Sequence, residues 1–449
     1  MNPIVLKICN MAIKETHIRY PSNTIDKKEI EGASQEIVFS ILEKYKKRIP
    51  VDVWLTSLNK IDKAFEEFEA PKEQLGGQAT SAFFVHTRRN KNGSIKTSDS
   101  SVFRYLDDSS RYFPILDPKY GIPENEVEKL WNSLPPFKVG EISGFIDDQK
   151  INCIIISVPI TPKTLGDYRS ATERVNYVRP RISQAAKLAE KMGARIIGLG
   201  ETLASLTMHG KKLQEQFPEI KIATGHAFTT YFMTEWTNFI AEKIGINLKD
   251  SQVTIIGANG SIGSAMTEML LEQGVSALRL HDQSNMLGAL EKRKKEISNK
   301  YLNRKIEITG GNENLREACR NSRIILVAAS SPIPFIKAQH LDKNTFVIND
   351  SQPPSITREE AQRANSVTLW IAGTLPKELI NTFNSGLIEG DWTCALEVIA
   401  LEMDRAKTLE TVGPVTPQRA KKAGEIAKRL NMTLTSPQSW GVKEDIKLQ

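Results

Sequence analysis

The sequence has few cysteines and no long hydrophobic run, and each shortage excludes a class of protein. Only four of the 449 residues are cysteines, and none stands in a CxxC or Cys/His spacing. This pattern argues against a disulfide framework or a metal centre and favours a reducing compartment, the cytoplasm. The longest apolar run, residues 153–160, is broken by Ser157 and Pro159 and is much shorter than a spanning helix of roughly 20 residues. We therefore expect no membrane span.

Charge of one sign is also lacking, because 60 Lys and Arg residues oppose 53 Asp and Glu residues, which leaves a net charge of +7. Hydrophobic residues make up 40% of the chain and charged residues 25%, as in globular proteins of about two or three domains. Residues 1–10 lead into charged helical sequence without a small-residue cleavage site, so we expect no signal peptide. A nucleic-acid role has no supporting motif.

The order of the hydrophobic patterns predicts an α/β protein with a helical extension at its N-terminus. Apolar residues at three- and four-residue spacing predict helices over 30–47 and 54–68, in a region of unknown role. An alternation of buried strands and helices begins at Gln252 and is typical of a Rossmann dinucleotide-binding domain. The predicted division has four parts. Residues 1–80 form the helical extension, 81–230 an α/β substrate lobe, and 231–395 the Rossmann domain. Residues 396–449 form C-terminal helices and a tail that pack back on the substrate lobe.

A strand, a glycine turn and a helix follow one another at residues 252–271. Gly257 permits a tight turn, Gly260 lets backbone N–H groups approach a pyrophosphate, and Gly263 lets the helix pack closely on the strand. Phosphates there would lie at the positive end of the helix. The alternative is a strand, turn and helix that bind nothing. The predicted cofactor contacts in this turn are Gly257, Asn259, Gly260, Ser261, Ile262 and Gly263.

A second strand, residues 277–281, ends in Asp282, which lies 19 residues after Gly263. An acid at this place accepts hydrogen bonds from the adenosine ribose and repels a 2′-phosphate, so Asp282 favours NAD(H) over NADP(H). Four more runs of strand length complete a parallel sheet, namely residues 305–308, 323–328, 345–348 and 366–371. The predicted contacts to the nicotinamide half of the cofactor, which follow two of these strands, are Ala329, Ser330, Ser331 and Gly373. For the serines the alternative is a loop cap.

A cysteine stands close to the start of a predicted helix near Asp391. If Asp391 caps this helix, Cys394 is its third residue, where unpaired N–H groups and the helix dipole stabilise a thiolate. A thiolate is a good nucleophile toward a thioester. The alternative is a small core residue, because Cys394 shares a helical face with Val398 and Leu401. Glu397, one turn on, would oppose ionisation of the thiol if it lies close.

Four segments carry a resemblance to a known family. They are residues 253–265, Thr224–Tyr231, Trp131–Pro136, and the Cys-x-x-Glu-x-x-x-x-Glu spacing of Cys394, Glu397 and Glu402. In these motifs the chain resembles the long-chain acyl-carrier-protein reductases of cyanobacteria, which form fatty aldehydes from acyl thioesters with a nicotinamide cofactor. The resemblance implies that Cys394 is the nucleophile and that an acyl carrier protein or coenzyme A donates the acyl group.

Two positions depart from the pattern of that family. The family uses NADPH and has an Arg after its second strand, where this chain has Asp282; we therefore expect NAD(P)H, with a preference for NAD(H). In the family's Thr-Gly-Asn-x-His pattern, His226 takes the place of the Asn and Phe228 that of the His. His226 is the candidate proton donor, and the alternative is an ordinary histidine at a helix start. Glu201 and Thr202 are candidates for lining the acyl site.

Two other functions stay open at this stage. One is a small-substrate dehydrogenase of the shikimate or methylene-tetrahydrofolate type with an inert Cys394, for which Lys163 and Asp167 would be the cue. The other is a non-catalytic dinucleotide-binding protein. An acidic acyl carrier protein would be attracted by a basic docking face. The candidates for this face lie in two basic segments: Arg179, Arg181, Lys187, Lys191 and Arg195, and Arg419, Lys421, Lys422, Lys428 and Arg429.

Overall fold

The computed structural model describes most of the chain, in the ranges 34–86, 113–160, 171–331, 333–351, 354–383, 385–404 and 409–446. The polar stretch at 91–110, whose composition predicts a loop or lid, lies outside the described residues, and so does the pair Lys163 and Asp167. Within the described ranges, no helix combines the length and the apolar character that crossing a membrane requires.

Three helices form the N-terminal part of the described chain: α1 (Gln35–Tyr45), α2 (Val51–Glu69) and α3 (Lys72–Leu75). The hydroxyl of Ser34 caps α1 by accepting a hydrogen bond from the N–H of Ile37. The buried residues of α2 recur every three or four positions. This is the spacing from which the sequence predicts a helical extension, and the helices are confirmed.

The first sheet is mixed and has six strands. They are β1 (Ser81–Val85), β2 (Phe137–Ile146), β3 (Gln149–Ser157), β4 (Ile196–Leu199), β5 (Lys221–Ala223) and β13 (Leu379–Asn381), in the order β13-β2-β3-β1-β4-β5. The four neighbouring strands β3, β1, β4 and β5 are parallel to one another. Strand β2 pairs antiparallel with β3 and with β13. Asp147 and Asp148, both at positive φ, form the two-residue turn between β2 and β3.

The second sheet is wholly parallel and also has six strands. They are β6 (Gln252–Ile256), β7 (Ala277–Asp282), β8 (Lys305–Gly310), β9 (Ile324–Val327), β10 (Phe346–Asn349) and β11 (Val367–Trp370). The order β8-β7-β6-β9-β10-β11 reverses direction between β6 and β9. This is the strand order of the dinucleotide-binding Rossmann fold, so the predicted fold class is confirmed.

The other elements cover the sheets or join them. The helices are α4 (Glu124–Asn132), α5 (Ala171–Lys191), α6 (Leu203–Leu206), α7 (Lys211–Gln216), α8 (His226–Lys243), α9 (Ser261–Glu272), α10 (Leu287–Lys300), α11 (Leu315–Cys319), α12 (Arg358–Arg363), α13 (Thr393–Met403) and α14 (Pro417–Arg429). Two short antiparallel pairs complete the structure: β12 (Ala372–Gly373) with β14 (Asp391–Trp392), and β15 (Gln438–Ser439) with β16 (Val442–Lys443).

Two helices hold the sheets together. Helix α13 packs on β1, β3 and β4 of the first sheet, and α8 packs on α9, α13 and α14. The contact of α13 with β4 is close, because a Cβ on Gly198 would lie 2.2 Å from Cγ2 of Val398. The chain therefore returns to the first sheet after the second is complete, and it does so from β13 onward, before the boundary at 396 that the sequence predicts.

The buried Arg279 of β7 joins elements at the amino-terminal edge of the second sheet. Its guanidinium donates to the carboxylate of Glu307 at 2.6 and 2.9 Å. It also donates to three backbone carbonyls at the end of α11, those of Glu317, Ala318 and Arg320. One side chain on β7 thus satisfies four acceptors on two other elements, β8 and the end of α11.

We expect Arg279→Met to lower the free energy of unfolding by about 3 kcal/mol, because it leaves three buried or part-buried carbonyls without their donor and removes the buried partner of Glu307. Lys305→Met is the matched control, since Lys305 also pairs with Glu307 but is 67% exposed; it should cost less than about 1 kcal/mol. Urea denaturation measures both values. Equal losses of unfolding free energy in the two variants would contradict the role of Arg279 in joining these elements.

Candidate active site

A cleft lies where the carboxyl ends of strands from both sheets meet. Its empty space, including the part open to solvent, is about 1040 Å³. The residues that follow β4, β6, β9 and β10 line it, together with the start of α13. Among the predicted site residues, those that line the cleft are Glu201, Thr202, His226, Asn259, Gly260, Ser261, Ile262, Ala329, Ser330 and Cys394.

The glycine turn forms one wall of this cleft. Gly257 has a φ of +80°, which L side chains rarely adopt. A Cβ on Gly263 would lie 2.3 Å from the carbonyl oxygen of Gly257, so α9 packs directly on the turn. The first N–H groups of α9 have no acceptor inside the helix and lie at its positive end. The turn also stands where the strand order reverses, which is the place where this fold binds dinucleotides.

Asp282 is fixed beside the turn at the end of β7. Its Oδ2 accepts from the N–H of Asn259 and its Oδ1 from that of Gln283, both at 2.9 Å. A carboxylate has about four lone-pair positions, so both oxygens keep acceptor capacity for ribose hydroxyls. The glycine turn and this carboxylate together fit the phosphates and ribose of a dinucleotide.

Two of the predicted nicotinamide contacts have other partners. The hydroxyl of Ser331 donates to the carbonyl of Ile333 at 2.6 Å, which is the loop cap that the sequence left as the alternative. Gly373 is buried and lies outside the cleft lining. A Cβ there would lie 2.6 Å from the ring of Phe232 and 2.7 Å from Leu396; a cofactor contact through the backbone of Gly373 stays a prediction. The position lacks a side chain because α8 and α13 fill its space.

Cys394 is half-buried and lines the cleft as the second residue of α13. The helix begins at Thr393 after Trp392, so the prediction that Asp391 caps it is wrong. The carboxylate of Asp391 instead accepts from the side chain of Asn381 and from the N–H of Trp392, both at 2.7 Å. The thiol still lies in the first helical turn, where the helix dipole favours negative charge.

The other cysteines of the described chain lie in the core. Cys153 and Cys319 are both buried, and burial raises the pKa of each thiol, to about 12 for Cys319. A thiol that stays protonated and out of contact with solvent is a poor nucleophile. Among the described cysteines, Cys394 is therefore the candidate for covalent chemistry.

A buried carboxylate fixes the position of Cys394. The side chain of Glu397, on α13, accepts from the backbone N–H groups of Gly225, Ala227 and Phe228 at 2.8 to 3.2 Å. These groups form the start of α8, so Glu397 ties the two helices together. Gly225 has a φ of +75°, and a Cβ there would lie 2.3 Å from that of Cys394. The Cys-x-x-Glu spacing thus serves to seat the cysteine against α8.

His226 follows Gly225 and faces a second histidine. Its Nδ1 lies 3.1 Å from Oγ of Ser261, and this Oγ accepts from the N–H of Val415 at 2.8 Å. The rings of His226 and His209 meet edge to face, 5.4 Å apart. Burial, with a smaller effect of His209, lowers the pKa of His226 to about 3. His226 is therefore neutral near pH 7, where it can exchange hydrogen bonds but carries no positive charge.

Among the described residues, three titratable side chains in or beside the cleft, those of His86, Asp350 and His209, have no part in the sequence motifs. His86 follows β1 and bonds to both Glu201 and Thr202. Asp350 follows β10 and is half-buried, and burial raises the pKa of its carboxyl to about 7. Both stand at the carboxyl ends of parallel strands, where this fold places functional groups, and that position is the signal that could have found them. His209 has no comparable signal.

Comparison with known proteins finds a curated relative at low identity. No family profile matches the chain. The aminotransferase PigE of a Serratia species is 23% identical over 300 residues, which cover 64% of this chain and 32% of the relative. The match spans about a third of the length of that curated relative.

Solved structures show remote likeness. The malic enzyme of Pyrococcus horikoshii is 15% identical, with a TM-score of 0.32, and the match covers 95% of this chain and 89% of that one. The NAD-dependent malic enzyme of Thermotoga maritima is 11% identical, with a TM-score of 0.33 and coverages of 95% and 98%. The shikimate 5-dehydrogenase of Listeria monocytogenes, in complex with shikimate and NAD, is 12% identical, with a TM-score of 0.28 and coverages of 66% and 86%. The assignment of the fold rests on the strand order itself.

The buried carboxyl of Glu397 makes stability depend on pH. Burial raises its pKa from 4.5 to about 7 against the effect of the three N–H groups. Between these values the folded state binds a proton that the unfolded state lacks. The stability of the wild type relative to Glu397→Gln should therefore fall as the pH rises from 4.5 to 7, by up to about 1.4 kcal/mol per unit.

Urea denaturation at several pH values measures this difference. Glu425→Gln, an exposed change on α14, is the control and should follow the wild type. A difference between wild type and Glu397→Gln that stays constant over the interval would contradict the prediction.

Proposed function

We propose that the protein reduces an acyl thioester to an aldehyde with a nicotinamide cofactor, through an acyl group bound to Cys394. The observation that carries this proposal is that Cys394 and the glycine turn line one cleft. A nucleophile that can hold an acyl group as a thioester thus shares a space with the cradle of a dinucleotide. The resemblance to long-chain acyl-carrier-protein reductases supports the same chemistry.

The residues of the cleft fit a dinucleotide in three places. Backbone N–H groups from Gly260 to Ile262 would hold the pyrophosphate, and Asp282 would accept from the adenosine ribose. Ala329 and Ser330, after β9, would lie along the nicotinamide half. When bound, the cofactor supplies a hydride to the acyl carbon. Asp282 favours NAD(H), although the resembled family uses NADPH.

The protein side of the reaction belongs to Cys394 and the start of α13. The thiolate attacks the thioester carbonyl, and N–H groups of the first helical turn stabilise the oxyanion that forms. The donor thiol leaves, and the acyl group stays on Sγ. After reduction, the hemithioacetal on Cys394 collapses, which releases the aldehyde and restores the thiolate.

The acyl donor in this proposal is an acyl carrier protein or coenzyme A. Part of the basic set is used inside the molecule: Lys191 donates to backbone carbonyls, and Lys421 and Arg429 pair with acidic side chains. Lys187 and Lys428 are exposed and can attract an acidic carrier protein.

The aldehyde product agrees with the nature of the curated relative. That relative is an aminotransferase, and transamination takes a carbonyl compound as one of its substrates. Its remaining two thirds, which the match does not cover, leave room for such an activity beside a region like this chain. An enzyme that forms an aldehyde can therefore supply one that aminates it.

Covalent catalysis is tested by exposing the protein to an acyl thioester without cofactor and measuring its intact mass. The wild type should gain one acyl group and lose it when NADH or NADPH is added, with release of aldehyde. Cys394→Ser should lose at least about 1000-fold in turnover, as expected when a nucleophile is removed. Cys319→Ser is the control and should keep both adduct and turnover. Full turnover in Cys394→Ser would contradict the mechanism.

Cofactor preference is tested by replacing Asp282. Asp282→Ser removes the acceptor of the ribose hydroxyls and the repulsion of a 2′-phosphate. The ratio of kcat/KM for NADH to that for NADPH should fall by about 10- to 100-fold, the effect of one or two charge-assisted hydrogen bonds. Asp250→Ser, an exposed acid at the amino end of β6, is the control. An unchanged ratio in Asp282→Ser would remove the argument for NAD(H).

A further inference from the structure

Three side chains form a hydrogen-bonded chain beside the cleft. Oε2 of Glu201 lies 2.9 Å from Nδ1 of His86, and Nε2 of the same imidazole lies 3.1 Å from Oγ1 of Thr202. Thr202 and Glu201 line the cleft that also contains Cys394. Catalytic triads have the same order of carboxylate, imidazole and hydroxyl. In them the carboxylate holds the imidazole in place, and the hydroxyl exchanges a proton with it.

The chain is built from buried and constrained groups. The side chains of His86 and Glu201 are 1% and 4% exposed. Glu201 has a φ of +56°, which a residue with a side chain adopts only when its surroundings impose it. The same carboxylate oxygen also accepts from the backbone N–H of His86 at 3.1 Å. The imidazole therefore has a fixed orientation, with Nδ1 toward the acid and Nε2 toward the hydroxyl.

The proposed reduction consumes one proton, and this proton ends on the sulfur of the donor thiol. The start of α13 provides N–H groups for the oxyanion, and its hydroxyl, that of Thr393, pairs with the hydroxyl of Thr229 rather than with an imidazole that could reprotonate it. His226, the donor that the sequence suggests, is neutral near pH 7 because of its burial. In the Glu201–His86–Thr202 chain, the carboxylate on Nδ1 holds the imidazole with Nε2 toward the Thr202 hydroxyl, so a proton on Nε2 can pass to that oxygen.

We propose that the Thr202 hydroxyl is the proton donor to the leaving thiol and that His86 and Glu201 position and reprotonate it. This inference rests on the proposed function and adds its acid catalyst. As the bond from Sγ of Cys394 to the acyl carbon forms, the bond from this carbon to the donor sulfur breaks, and the sulfur keeps the electron pair. The sulfur takes the proton of Thr202, Thr202 takes that of His86 Nε2, and a proton from water in the cleft returns to Nε2 by way of the Thr202 hydroxyl before the next turnover.

The test uses the basicity of the leaving thiolate. The full-length protein is mixed, without cofactor, with two esters of one acyl chain, an S-acyl pantetheine and an S-phenyl thioester, and acylation is followed by intact mass. An alkyl thiolate is the more basic leaving group and gains most from a proton as it leaves, whereas an aryl thiolate leaves readily without one. Thr202→Val should slow acylation by the pantetheine ester by about 100-fold, the lower end for a positioned acid, and leave the phenyl ester nearly unaffected.

Four comparisons decide the outcome. Thr202→Ser, which keeps a hydroxyl, should restore the rate with the pantetheine ester, and His86→Gln should show the selective loss of Thr202→Val. A loss of equal size with both esters, or none, would overturn the proposal in favour of a structural role. If Asp350→Asn, and not Thr202→Val, slows acylation by the pantetheine ester alone, the proton donor is Asp350, and the proposal is overturned. If the wild type is acylated by neither ester, the proposed function fails, and the relay fails with it.

Discussion

Three backbone N–H groups at the start of α8 converge on one buried carboxylate, that of Glu397. Unpaired, the carboxylate and the N–H groups would each be costly to bury, so the contact holds α8 and α13 in a single relative position. Helix α13 rests on the first sheet, whereas α8 packs beside α9, which begins at the glycine turn. The placement of Cys394 against Gly225, and of His226 against Ser261, depends on this one contact.

Burial decides which groups in the cleft carry charge. Partial burial lowers the pKa of His226 to about 3, so its imidazole is neutral near pH 7, and burial raises the pKa of Asp350, in the cleft, and of Glu397, outside its lining, to about 7. In such surroundings a hydrogen bond is stronger than in water and a lone charge is costly. His86 differs from His226 in having a carboxylate partner. His226 lines the cleft, whereas His86 lies beside it, behind Glu201 and Thr202.

Local chemistry explains what the sequence predicts correctly, and distant contacts explain its errors. The turn at Gly257 and the strands around it follow from glycine and β-branched residues within a short segment. Asp391 is of a residue type that often caps helices, but its carboxylate instead accepts a hydrogen bond from Asn381, which lies on β13. The pairing of His86 with a residue 115 positions away leaves no mark in local sequence.

The late return of the chain to the first sheet governs the order in which the molecule can fold. Strand β13 and helix α13 complete that sheet, yet the whole of the second sheet lies between them and β5 in the chain. The parallel sheet of β6 to β11 is contiguous in sequence and can form without waiting for later residues. The first sheet must close a loop of more than a hundred residues, which makes its contacts non-local and slow to form. During synthesis, the parallel sheet that would bind the cofactor can therefore form before α13, which carries Cys394, packs on the first sheet.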